Sequence, residues 1–148
     1  MKHRSSPGDK AFRIEFEDGS FPPAEFNHRA HVRLAYTYLT EHDTDTAHHM
    51  MRDALLAFLR HHEIDVSKYH DTMTRAWIMA VRHFMQISPG CESSDRFMES
   101  NPRLLDSHIM MTHYSAEVLF SEEARARFVE PNLSPIPRYG KGSKGGRT

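Results

Sequence analysis

Cysteine is nearly absent: in 148 residues only Cys91 carries a thiol. One cysteine cannot close an internal disulfide, which excludes a disulfide scaffold and suits a reducing compartment. Long apolar runs are missing too. No stretch approaches the roughly 20 residues that a membrane-spanning helix needs. MKHRSSPGDK, at the start, has no apolar run behind its charges, so no signal peptide is read there. These absences predict a cytoplasmic protein that does not engage a membrane. Excess charge is lacking as well. The formal net charge is −1 with histidine neutral, and no stripe of Lys and Arg gives the electrostatic footprint of nucleic-acid binding. There is no CxxC pair and no glycine-rich loop to cradle phosphate. Cys91 sits in the loop SPGCESS with no base beside it in sequence, which argues against a nucleophilic thiol.

What is present is a globular composition, 39% hydrophobic and 26% charged, enough for one domain with a sizeable core. Histidine is abundant, with 12 residues, so the chain becomes clearly cationic as pH falls through the imidazole range. Residues 1–10 are polar and expected to be loose, 11–137 form the domain, and the Gly/Lys-rich 138–148 has nothing to bury and is expected to be disordered.

Along the domain, AFRIEFEDG (11–19) is ambiguous. Phe12, Ile14 and Phe16 alternate with charged residues as in a strand, but no second strand exists to pair with it, so an extended arm or a short helix fits equally. Asn27 is placed to cap a first clear helix. A second carries Ala47, Met50, Met51, Ala54, Leu55, Phe58 and Leu59 as an apolar stripe. A third is predicted over roughly 69–86, capped by Ser67, with Trp77 on its inner face. Asn101-Pro102 opens a fourth, with Leu104, Leu105, His108, Ile109 and Met111, and Ser121-Glu122-Glu123 starts the last. The expected fold is a compact all-α bundle of about five helices with short connections.

The chemistry-bearing pattern lies in FNHRAHVRLAYTYL. His28 and His31 are spaced i, i+3, so both side chains project from one helix face. His70 opens another helix and can approach the pair if the apolar faces pack. Three imidazoles from two helices make an open metal site. His113, in MTHYS, is a fourth candidate, and Tyr69 and Tyr114 neighbour these histidines as possible proton donors. Imidazole ligands suit a divalent transition metal such as Zn, Fe, Cu, Ni or Mn without choosing among them. The plain alternative is that these histidines are half-buried and bonded to backbone carbonyls or carboxylates. The remaining histidines at 3, 42, 48, 49, 61, 62 and 83 fall mostly on solvated faces. Arg29, Arg33, Arg75 and Arg125 either clamp an anion or tie helices to carboxylates.

FNHRAHVRLAYTYL, KYHDTMTRAW (68–77) and HYSAEVLFSEEARARFVEPNLSPIP (113–137) together resemble a family of small, functionally uncharacterised bacterial proteins. The resemblance covers roughly residues 12–137. It runs through His28, His31, Tyr69, His70, Thr72, Thr74, Trp77, Tyr114, Ser115, Ser121, Arg125 and Pro131, with Asn132 where the pattern leads one to expect aspartate. It implies a shared all-helical fold and a shared pocket around the same histidines, and supplies no reaction.

Three functions compete. The first is a small metalloenzyme, hydrolytic or oxygen-using, acting on a small organic substrate in a pocket within the bundle. An HD-type metal phosphohydrolase is a variant of it, from the order of His28 or His31, His70-Asp71 and Asp106. The second is a non-enzymatic binding module with structural or pH-sensing histidines. The third is metal-free acid–base catalysis by His70 with Tyr69. The sequence does not give an oligomeric state.

Overall fold

Helix α1 (Pro7–Glu17) forms where the alternation of Phe12, Ile14 and Phe16 had left a strand open. Local capping decides the matter. Ser6 accepts from the Asp9 amide and Asp9 accepts from the Ser6 amide, a reciprocal capping box, and Pro7 occupies the first turn. Phe12 and Phe16 then fall one turn apart and both are buried, while Ile14 is left 54% exposed. This helix begins inside the segment expected to be loose. The computed structural model describes residues 2–139, so most of the Gly/Lys tail lies outside the described residues.

The fold is all-α, and the described residues contain no strand. Helix α2 (His28–Leu39) is capped by Asn27, whose side chain accepts from the Ala30 amide, as expected. Its C-terminal two-thirds is buried on nearly every side, including Val32, Leu34, Ala35, Tyr36 and Tyr38. A helix apolar all round needs neighbours all round. It has them in α1, in α3 (Thr44–His61) and in α4 (Asp71–Ile87). Phe16, Phe26 and Phe58 join these elements through ring contacts, with Phe16 and Phe58 stacked at 4.3 Å.

Two expectations fail, one at the start of α4 and one after it. Ser67 does not cap that helix. Val66–Lys68 closes a 3-10 turn, Tyr69 is extended, and His70 is the cap, its Nδ1 accepting from the Met73 amide at 3.1 Å. Nor does Asn101-Pro102 open an α-helix. After the short α5 (Ser94–Ser100), the chain runs through two 3-10 turns, Pro102–Leu105 and Ser107–Thr112. Asp106 interrupts them by bonding the His108 amide with its own side chain, the usual way a short acid competes with a helix. His108 is therefore exposed rather than on an apolar stripe.

The C-terminal part is a strap. Helices α6 (Ala116–Leu119) and α7 (Glu122–Ala126) lead into an extended segment, and α7 packs on α4. Thr72 fastens the strap twice, donating to the Arg127 carbonyl and accepting from the Val129 amide. Ile136 anchors its end in the core.

Candidate functional site

The first turn of α2 carries His28 and His31 to the wall of a cavity of about 480 Å³. Trp77 and Met73 of α4, Met110 from the second 3-10 turn and Leu119 of α6 make its apolar lining. A second cavity of about 330 Å³ lies on the other side of His31, among Leu55, Phe58 and Leu59 of α3 and Tyr69, His70 and Met73. Phe26, His31 and Met73 line both. The i, i+3 spacing thus does place the two histidines on one wall.

Their hydrogen bonds separate them. His28 donates from Nε2 to the Leu104 carbonyl at 2.9 Å, and its ring meets the Trp77 indole edge-on at 4.5 Å. That bond places a proton on Nε2 and leaves Nδ1 without a partner among the described residues. His31 is half-buried, and neither of its ring nitrogens has a hydrogen-bond partner among the described residues. Burial among apolar side chains, and secondarily the neighbouring His28, lowers its pKa to about 4. It is a neutral imidazole at physiological pH, offering one donor and one acceptor to the cavities.

His70 reaches the second cavity but both nitrogens are occupied. Nε2 donates to the Leu119 carbonyl at 2.7 Å and Nδ1 caps α4. Its pKa is lowered, first by burial. His113 lines neither cavity and donates from Nδ1 to the Ser134 carbonyl. Among the described residues no three of His, Cys, Asp and Glu are grouped to hold a metal ion. The expected convergence of His28, His31, His70 and His113 therefore does not occur. The reason is local: His70 has both nitrogens occupied, by the Leu119 carbonyl and the Met73 amide, and His113 is held at the Ser134 carbonyl outside both cavities, which leaves only His28 and His31 on a shared wall.

The tyrosines are engaged as well. Tyr69 lines the second cavity but donates to Asp71 Oδ1 at 2.6 Å. Tyr114 is fully buried and donates to the Val129 carbonyl. Burial raises both phenol pKa values, which opposes loss of either proton.

Asp71 belongs to a network the sequence did not disclose. Besides Tyr69 it accepts from Nε2 of buried His48, while Arg75 donates to His48 Nδ1 and to Asp45. His48, expected on a solvated face, instead ties α3 to α4. Arg29 and Arg33 pair with Asp95 and Asp9. Cys91 does have a base nearby, contrary to expectation. His3 Nδ1 lies 3.6 Å from its sulfur, brought there by the N-terminal segment from 88 residues away. No periodicity could have signalled these pairings. Of the apolar wall, Leu55 and Phe58 were legible only as part of the apolar stripe of α3.

No described helix is long and apolar enough to cross a membrane. Comparison with known proteins finds no match to the chain among family models, curated proteins or solved structures.

Proposed function

We propose that the protein binds a small, largely apolar organic molecule in the cavities that meet at His31, and that this imidazole orients the ligand by a hydrogen bond. One observation carries the reading: a half-buried imidazole without a partner, set in apolar walls. A few polar groups in an otherwise apolar pocket wall are what fix a ligand's orientation, and His31 offers one donor and one acceptor there. The cavity sizes fit, since ligand sites commonly span about 300–1,000 Å³. Chemistry by proton abstraction is less well supported. A base with a pKa of about 4 is far from the neutral value that favours proton transfer at physiological pH.

A ligand-observed NMR screen of uncharged fragments tests this against the wild type and His31→Leu. The expected binders carry one hydroxyl, carbonyl or N–H on an apolar body and weaken about fivefold or more in the variant. Fragments that bind equally to both proteins would sink the reading, as would the absence of any binder. Elemental analysis of the same preparations checks the metal reading that the histidine spacing raised. Near-stoichiometric transition metal, lost on His28→Ala/His31→Ala, would replace the orienting role with a ligand role.

A further inference from the structure

The two cavities differ in charge, and the difference identifies a ligand class. This inference rests on the reading of His31 as the polar feature of a small-molecule site. Among the described residues, the larger, Trp77-lined cavity has no Lys, Arg, Asp or Glu in its wall, and the smaller, Phe58-lined cavity has one Lys, Lys68, and no carboxylate. Lys68 is exposed and has no carboxylate at ion-pair distance among the described residues. Asp65 feels its charge, but the Asp65 side chain is bonded to the Ser67 amide. Arg125, whose charge reaches His70 at the same cavity, is likewise outside every ion pair among the described residues. Arg75, Arg127 and Arg138 are matched by Asp45, Glu123 and Glu130, whereas Arg60, next to Leu59 of the cavity wall, is like Arg125 outside every ion pair among the described residues.

We propose that the Phe58-lined cavity takes a small monocarboxylic acid with an apolar body, its carboxylate at Lys68 and its body toward Phe26 and His31. The walls supply the apolar contact, and the Lys68 ammonium is the only Lys or Arg charge in the wall itself among the described residues. An amine would meet that ammonium unfavourably. A ligand with a second charge would have to desolvate it against Leu55, Phe58 and Leu59. A carboxylate at the exposed mouth keeps part of its hydration while gaining a charge-assisted hydrogen bond.

Isothermal titration with octanoate, 1-octanol and octylammonium distinguishes these possibilities, in the wild type, Lys68→Met, Lys68→Arg and His31→Leu. Octanoate is expected to bind roughly fivefold or more tightly than 1-octanol, with octylammonium weakest. Lys68→Met should bring octanoate down to the level of 1-octanol without changing 1-octanol itself, and Lys68→Arg should restore most of the preference. Lys68 is a solvent-exposed residue of a short 3-10 turn, so the variants should keep the wild-type circular dichroism. Equal binding of octanoate and 1-octanol by the wild type would overturn the inference. So would a carboxylate preference that survives Lys68→Met, or no binding of any probe. The His31 reading fails separately, if 1-octanol binding is unchanged in His31→Leu while the carboxylate preference persists.

Discussion

At the scale of the residue, His31 has a definite pH signature. Its folded pKa is depressed to about 4 from the ordinary 6.5. The unfolded chain therefore binds its proton first, and stability is lost as pH falls from about 6.5 toward 4. The full loss is on the order of 3 kcal/mol, because each tenfold loss of proton affinity on folding is worth about 1.4 kcal/mol. His3, His48, His70 and His83 are lowered in the same direction, each mainly by burial, so the acid limb should be steep. Urea unfolding at pH 7.5 and pH 5 is expected to show a smaller stability difference in His31→Leu than in the wild type, by about 1–2 kcal/mol. An unchanged difference would mean that His31 does not stay neutral on folding. Asp71 makes a second residue-scale case. It accepts from both His48 and Tyr69 in the interior. Asp71→Ala leaves the buried His48 donor and the half-buried Tyr69 hydroxyl without their acceptor and should cost about 2 kcal/mol in urea unfolding at pH 7.5. Removing the Tyr69 hydroxyl alone should cost about 1 kcal/mol.

At the scale of the element, helix ends carry much of the specification. His70 both caps α4 and holds the Leu119 carbonyl. His70→Ala removes both bonds and should cost about 2 kcal/mol, whereas His70→Asn, itself a strong cap, should cost about 1 kcal/mol by thermal or urea unfolding. Equal losses would mean that the cap contributes nothing. The turn after α1 depends on Gly19, at φ +84°, where an added Cβ would lie 2.6 Å from the His61 ring. Gly19→Ala combines left-handed strain with that clash. It should cost about 2 kcal/mol or more, falling to about 1 kcal/mol in a His61→Ala background, where only the strain is left. Much of this was legible beforehand: Asn27 caps α2 as its position requires, and the apolar stripe of α3 is where the spacing puts it. The failures have one cause. In Ser6, Asp106 and His70, side-chain bonds to the backbone chose the local conformation over hydrophobic spacing.

At the scale of the molecule, the all-helical bundle was legible because three capped helical segments of 12, 18 and 17 residues dominate it. The site was half legible. Spacing put His28 and His31 on one wall, but it could not tell that Leu119 and Ser134, distant in sequence, would take His70 and His113. The strap that supplies those carbonyls should matter to the whole. A chain ending at Ala126 loses the buried Ile136, the Val129 carbonyl that holds Tyr114, and both backbone partners of Thr72. It should be less stable by about 3–5 kcal/mol in urea, with one cooperative transition, since a single core runs under α1 to α6. The position of Trp77 has a practical consequence. It is the only tryptophan in the chain, it is 4% exposed, and it lies in the cavity wall against the His28 ring. Its fluorescence is thus a built-in optical gauge of that cavity, one that would shift in wavelength if a guest entered, with no dye attached.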